Sequence, residues 1–523
     1  NRNVGYAVEN QGKKAILVSL EGAFNNYLKG QNGQMLMEKI RGNEWKPVDD
    51  NLSIEPIPGS DIYTSIDVNI QDVAEEALLK QLKDQKAKKG CAVLMEVKTG
   101  FVKAIANLSY DSKSDSYFEA QNHAVGLASE PGSTFKLASL LVALEQGKVN
   151  ITDSVDMTGK YEFYDNYLTD GGKVYGKNTI KSAFEKSSNV ISQIIFDNYK
   201  DAPQEFIDGL KQIGIHQKLG LDILGEGLPL IKEASDPTFT GITLPWMSIG
   251  YELKMTPLQT LALYNAVANN GVFLKPQFVQ YIKNGSKIQK EFEPKILNSS
   301  ICSKSTLEDL KVMLEGVVER GTAKNIKARG FKIAGKTGTS KIAMGSKGYG
   351  KQYQASFCGY FPSKDPIYSC IVVVQGPTKN IFGSVVSGTV FKEIADKVYA
   401  QEFKKENDIK NDSLNHFPYS RNGDKEAFLI ASKTMGIPVN DQSNPSSNLI
   451  STRTGNEAIK LFHKKTQKGL VPDVVGMGLI DAIYVLEKFG LLVQPVGSGI
   501  VKKQSIKAGY RINKGQKIIL QLG

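Results

Sequence analysis

Cysteine is scarce in this sequence, and its placement excludes several chemistries. Cys91, Cys302, Cys358 and Cys370 are four among 523 residues, with no C-x-x-C spacing and no histidines set beside them. That argues against a zinc site and against a disulfide scaffold. Cys358 and Cys370 flank a hairpin turn, "YFPSKDPIY", so they either face each other across two strands or stay as buried free thiols. Histidine is equally sparse: His123, His216, His416 and His463 are scattered, and none has a G-x-S-x-G serine. A Ser-His-Asp hydrolase is therefore not expected, and His123 reads as structural. No run of eighteen apolar residues occurs, so nothing here spans a bilayer. The first residue is Asn1 rather than Met, and removal of a signal or anchor segment ahead of it is expected. No metal and no cofactor is called for.

What is present is the composition of a folded chain of two or three domains, with 41% hydrophobic and 23% charged residues. The net charge of +11 suits either a partner rich in phosphate or carboxylate or simply solvated basic faces. Along the chain, Ile70, Val73, Ala74, Ala77 and Leu78 mark a helix stripe, followed by a hairpin turning at Lys98, Thr99 and Gly100. A compact domain therefore starts near residue 60, and residues 1 to 59 read as a separate, incomplete module. "TPLQTLALYNAVANNG" predicts a helix with Pro257 in its first turn and Gly271 beyond its end. "GFKIAGKTGTS", "QYQASFCGYF" and "IYSCIVVVQG" predict strands, the last two an antiparallel pair. Strands mixed with long helices, without βαβ alternation, give an α+β class. Residues 404 to 468 turn polar around "NDQSNPSSN" and read as a linker or loosely packed arm, and residues 469 to 523 as a small C-terminal domain.

The chemistry starts at "EPGSTFKLASLLVALEQGK". Ser133, Lys136, Leu137, Leu140, Leu141 and Leu144 share one face of a helix that is apolar nearly all round, so Lys136 is expected to be buried. A buried lysine tends to lose its proton, and a neutral amine one turn from a serine activates that hydroxyl as a nucleophile. S-x-x-K alone is equally a snorkelling lysine beside an ordinary serine. "KSSNV" presents Ser187 and Asn189 just before Val190, Ile191, Ile194 and Ile195, which alone reads as an N-cap. "KTGTS" places Lys336 between Gly335 and Gly338 on a strand, which alone reads as a strand ending in a turn.

Together and in this order, S-x-x-K, S-x-N and K-T-G are the signature described for penicillin-binding proteins and serine β-lactamases. "EPGSTFK", "KSSNV", "SIGYELKMTPLQ", "EGVVERGTAKN", "AGKTGTS", "ASFCGYFP" and "GTVFKEI" resemble the transpeptidase domain of class B penicillin-binding proteins over residues 60 to 403. "VPDVVGMGLIDAIYVLEKFGLLV" with "QSIKAGYRINKGQKIILQLG" resembles one PASTA domain, and "LEGAFNNYLKG" the end of the pedestal that precedes the catalytic domain. The resemblance implies an antiparallel sheet flanked by helices, shared with serine β-lactamases. It also implies peptidoglycan D,D-transpeptidation on stem peptides ending in D-Ala-D-Ala, with covalent attack by β-lactams at Ser133. Lys136 is then the general base, Ser187 a proton relay, and Asn189 the group that positions the substrate amide. Lys336 and Thr339 hold the substrate carboxylate, with Thr337 and Gly338 beside them. The N–H groups of Ser133 and Thr339 form the oxyanion hole, where each donor is worth ~3 kcal/mol. PASTA beside such a domain is more typical of cell-division (FtsI-type) members. Septal cross-linking at the periplasmic face of the inner membrane follows, with an N-terminal anchor, division-machinery partners including a glycosyltransferase, and no nucleic acid.

Three alternatives stay open. A class A β-lactamase needs a Glu-x-x-Leu-Asn pattern, which Glu293, Leu297 and Asn298 approach with one residue too many. A D,D-carboxypeptidase uses the same residues with water as acceptor, and a non-catalytic receptor would bind β-lactams or wall fragments. The Gly- and Lys-rich stretch "SKIAMGSKGYGKQYQ" is either a lid over the site or a plain hairpin connection.

Overall fold

The computed structural model describes residues 7–10, 13–17, 19–40, 42, 44–48, 54–343, 349–412, 420–455, 458–464 and 466–523. The tip of the glycine- and lysine-rich stretch, residues 344–348, and His416 lie outside them. Two compact units are formed, Asn1–Tyr399 and Ala400–Gly523.

In the first unit, Asp67 starts helix α1 (Val68–Gln85) by accepting the N–H groups of Asn69 and Ile70. The helix buries Ile70, Ala74, Ala77, Leu78 and Leu82. Strands β1 (Lys89–Glu96), β2 (Val102–Asp111) and β3 (Ser116–Phe118) follow. Then come helix α2 (Lys136–Glu145), hairpin strands β4 (Lys160–Phe163) and β5 (Asn166–Thr169), and helices α3 (Ile180–Glu185), α4 (Val190–Tyr199), α5 (Pro257–Ala268) and α6 (Lys304–Glu319). Strands β6 (Ala334–Ala343), β7 (Tyr349–Phe361) and β8 (Tyr368–Gln375) precede helix α7 (Gly383–Asp412).

The six long-range strands make one antiparallel sheet in the order β6-β7-β8-β1-β2-β3. Its central strand β1 is buried from Gly90 to Met95 without alternation, because helices cover both faces. The fold is α+β. The expected helix at Pro257 is the central one: every residue of α5 is buried, and Thr256 and Gln259 close a capping box at its start. Burial of each large apolar side chain along it contributes about 2 kcal/mol. Asn265, buried within it, donates to Val97 O and accepts from Ser369 Oγ.

One open alternative closes in favour of free thiols, and two sequence expectations change. Cys370 pairs with Gly359 and Cys358 with Ile371, so the two thiols are one residue out of register, and all four cysteines are free. Residues before 60 do not stand apart as a module, because Phe24 is buried against Val279, Ile282 and Phe292 of the first unit. Residues 404 to 468 are not a polar linker either: α7 runs on to Asp412, and residues 420–455 and 458–464 fold.

The second unit holds two small modules of the same chain course. In the first, β9 (Gly423–Asp424) leads to α8 (Lys425–Thr434), β10 (Val439–Asp441), β11 (Leu449–Thr454) and β12 (Ile459–His463). The sheet order is β9-β11-β12-β10, with β10 parallel and β11 antiparallel to β12. In the second, α9 (Leu479–Lys488) leads to β13 (Leu492–Val496), β14 (Val501–Gln504) and β15 (Lys517–Leu522). The order is β13-β15-β14, with β13 parallel and β14 antiparallel to β15. Even the short pairing before each helix recurs, Gly423 with Ile450 and Gly478 with Ile500. The first module's core is only Ile450, Ile459 and Leu461 with a few half-buried neighbours, too few to stand out in a polar stretch.

Candidate active site

Ser133 lies in a 3-10 turn, Gly132–Thr134, immediately ahead of α2, so the regular helix is shorter than the sequence face suggested. The turn is held from several sides. Gly132 adopts φ +59° and donates its N–H to Gly250 O at 3.1 Å. A Cβ on Gly250 would lie 2.2 Å from Gly132 O, so only glycine allows that approach. Thr134 Oγ1 donates to Pro131 O at 2.9 Å, and Tyr264 OH donates to Thr134 O at 2.8 Å.

Lys136 opens α2 and is 0% exposed. Its Nζ donates to Ser187 O at 2.8 Å, Ser188 O at 3.0 Å and Asn189 Oδ1 at 2.8 Å. All three N–H bonds of an ammonium are thus satisfied, and among the described residues none of them goes to Ser133 Oγ. Burial pushes the amine down to about 7, and the charge of Asp170 opposes that shift. Loss of one proton frees a lone pair on a nitrogen one helical turn from the half-buried Ser133, and such contacts often tighten only with substrate present.

The cradle for Lys136 depends on an unusual turn. Ser187 has φ +57°, a left-handed conformation that costs a non-glycine residue ~1 kcal/mol and aims successive carbonyls one way. Asn189 stands at the N-cap position of α4 but caps nothing. Its side chain instead accepts from Lys136 and donates through Nδ2 to Thr169 O at 2.8 Å.

Asp170 is a site residue that sequence reasoning missed. One carboxylate oxygen accepts from Ser188 Oγ at 2.5 Å and Tyr161 OH at 3.0 Å, and the other from Asn189 N–H at 2.6 Å. It follows β5 in "TDGG", where an aspartate reads as a turn former, and only the tertiary fold brings it to the serine–asparagine turn. Asp170→Asn removes the charge that holds the Lys136 ammonium. The pH midpoint of acylation should therefore move to lower pH, by up to about one unit, in a stopped-flow series.

Lys336, on β6, is also 0% exposed. Its Nζ donates to Ser187 Oγ at 2.6 Å and to Thr337 O at 3.1 Å. Burial, and then the charge of Lys136, hold it well below an ordinary lysine. Two buried amines therefore meet around one serine. A Cβ on Gly338 would lie 2.2 Å from Ser356 Oγ and 3.1 Å from Thr134 Cγ2, so this glycine lets β6 press against the turn that holds Ser133. Thr337 Oγ1 meets Thr322 Oγ1 at 2.8 Å, and Thr339 Oγ1 accepts from Gly383 N–H at 3.2 Å. β6 is a terminal strand of the sheet, where an extended peptide can add. Among the described residues no group of three or more His, Cys, Asp or Glu is placed to hold a metal ion, and no helix is long and apolar enough to cross a membrane. His123 is buried with Nε2 against Ser109 Oγ at 2.7 Å.

Comparison with known proteins agrees with this geometry. The penicillin-binding protein transpeptidase domain family matches residues 90–396, and the PASTA domain family residues 469–523. Stage V sporulation protein D of Bacillus subtilis is 25% identical over 99% of this chain and 73% of its own length. The probable peptidoglycan D,D-transpeptidase PenA of Neisseria meningitidis is 28% identical over 74% of this chain and 64% of its own length, so this chain spans just under two thirds of that relative. The crystal structure of penicillin-binding protein 3 from Mycobacterium tuberculosis in complex with aztreonam superposes with a TM-score of 0.64 at 24% identity, over 76% of this chain and 88% of that one. The buried lysine, the serine–asparagine turn and the glycine-flanked strand sit inside the matched stretch, and the chain belongs to the penicillin-binding protein transpeptidase family, as a class B member that carries a PASTA domain.

Proposed function

We propose that this chain is a peptidoglycan D,D-transpeptidase working through an acyl-enzyme on Ser133. The observation that carries the reading is the pair of fully buried amines, Lys136 beneath the nucleophile turn and Lys336 on Ser187 Oγ. Neutral Lys136 takes the Ser133 proton as Oγ attacks the penultimate D-alanine carbonyl. The N–H groups of Ser133 and Thr339 hold the oxyanion, and Asn189 orients the substrate amide. As the C–N bond breaks, Ser187 passes a proton to the leaving D-alanine amine, resupplied through Lys336. The amine of a neighbouring stem peptide then attacks the ester and gives its proton through Ser187 back to Lys336, while Lys136 returns the first proton to Ser133 Oγ as the ester C–O bond breaks.

Because Lys336 is engaged inside the protein, the hydroxyls of Thr337 and Thr339 are the nearer contacts for the substrate carboxylate, with the lysine acting behind them. A β-lactam offers the same carbonyl, but its leaving amine stays tethered and blocks the second attack.

In this reading residues 60–403 are the transpeptidase domain and residues 20–30 the end of a pedestal. The protein works at the periplasmic face of the inner membrane, anchored by a preceding segment, and serves septal synthesis beside a glycosyltransferase. PASTA adjoining the transpeptidase domain supports the septal place. The match along 99% of this chain to a protein named for sporulation favours a second reading, a role confined to sporulation. A fluorescent fusion found at septa of vegetative cells supports the first, and one seen only in sporulating cells the second.

The biochemical test is intact-mass analysis with benzylpenicillin followed by turnover of paired stem peptides. One adduct at Ser133 and a cross-linked dimer are expected. Released D-alanine without dimer would make it a carboxypeptidase, and an adduct without turnover a receptor. The acylation rate should rise with pH through about 7 and level off above it, because Lys136 is a base only once deprotonated.

A further inference from the structure

On the far side of the serine–asparagine turn stands a residue pair that belongs to none of the three motifs S-x-x-K, S-x-N and K-T-G. Glu185 closes α3 two residues before Ser187 and is 6% exposed. Arg320, directly after α6, meets its carboxylate with two prongs, Nη2 to Oε1 at 2.6 Å and Nε to Oε2 at 3.3 Å. Two glycines make room for it. A Cβ on Gly316 would lie 2.0 Å from Glu185 Oε1, and one on Gly321 2.1 Å from Glu185 O. Thr322 N–H then donates to Glu185 O at 3.0 Å.

The same Thr322 reaches the glycine-flanked strand, since its Oγ1 meets Thr337 Oγ1 at 2.8 Å, one residue from Lys336. The contacts run in a ring: Glu185 to Arg320 and Thr322, on to Thr337 and Lys336, across to Ser187 Oγ, and back along the chain to Glu185. A helix of six residues has little stability of its own, and the left-handed Ser187 beyond it is held by what surrounds it.

We propose that Arg320 and Glu185, with Thr322, are positioning residues for acyl transfer: they fix the serine–asparagine turn against β6 so that Ser187 Oγ stays on Lys336 Nζ. The inference rests on the transpeptidase reading above. The planar guanidinium matters, because a two-pronged contact sets orientation as well as distance, which a lysine does not.

The experiment measures benzylpenicillin acylation and stem-peptide turnover for Arg320→Met, Arg320→Lys and Thr322→Val, each alone and combined with Ser187→Ala. Arg320→Met should lower acylation about 10- to 100-fold, with Arg320→Lys between it and wild type and Thr322→Val lower by about 3- to 10-fold, in the range that a displacement near 1 Å costs. The loss should fall on kcat rather than KM. In the Ser187→Ala background the same changes should cost less than about twofold, because their effect passes through that hydroxyl. Equal factors in both backgrounds, or Arg320→Met and Thr322→Val both acylating within about twofold of wild type, would overturn the proposal. Should Arg320→Met not fold, Thr322→Val, which deletes one hydroxyl, decides alone. If wild type takes up no penicillin, the transpeptidase reading falls and this inference with it; wild-type labelling with unaffected variants removes this inference only.

Discussion

Ser133→Ala should take up no covalent β-lactam while melting within a degree or two of wild type. The hydroxyl makes no hydrogen bond among the described residues, so its removal leaves no buried partner unsatisfied. Neighbouring hydroxyls cannot replace it. Ser187 Oγ is held by Lys336 Nζ, and Ser139 Oγ is buried and donates to Ser248 O at 2.6 Å. Loss of the nucleophile should therefore be nearly total, at least about 10⁴-fold in acylation rate, with weak reversible binding retained. Intact-mass spectrometry after an hour with excess benzylpenicillin reads the result directly. Labelling at the wild-type rate would show that another residue is acylated.

Lys136→Met should be nearly as inactive, yet no less stable at neutral pH. The methionine thioether fills the methylene path of the lysine but offers no base, so acylation should fall about 10³-fold or more. The stability argument follows from the depressed amine. In the unfolded chain the lysine holds its proton up to about its ordinary value of 10.5, whereas in the fold it loses it near 7. Between those values the unfolded chain binds more protons, so this group's contribution to stability rises with pH. At pH 7 and below, folding bears the full cost of burying the cation, and the apolar variant is relieved of it. Against that relief stand Ser187 O, Ser188 O and Asn189 Oδ1, which lose their donor. Melting temperatures at pH 6 and pH 9 separate the effects: the variant should compare best with wild type at the lower pH. The reverse order would mean that Lys136 is not the depressed amine.

What the sequence disclosed was chemistry written at short range. S-x-x-K sets Ser133 and Lys136 one turn apart whatever the rest of the chain does, and Gly335 and Gly338 mark a strand that something must approach closely. The long helix at Pro257 and the strands around Cys358 and Cys370 were legible for the same reason, since their period and caps are local. Asp170 and the Glu185–Arg320 pair were not legible, because each is a single polar residue whose partner is fixed only when distant elements pack. The thiol register was hidden in the geometry of the turn at Pro362 to Pro366. The module at residues 420–464 was hidden by thrift, since three fully buried side chains suffice for it.

The repeated chain course in the second unit bears on where this protein can be cut. Asn422 donates to Gly476 O and Val475 O, and Lys464 donates to Val475 O and pairs with Asp473, while Leu449 packs against the core of the last module. A stop codon at the start of the PASTA match would strip those acceptors and leave Leu449 uncovered, yielding a ragged fragment prone to proteolysis. The clean deletion takes both modules together from residue 420.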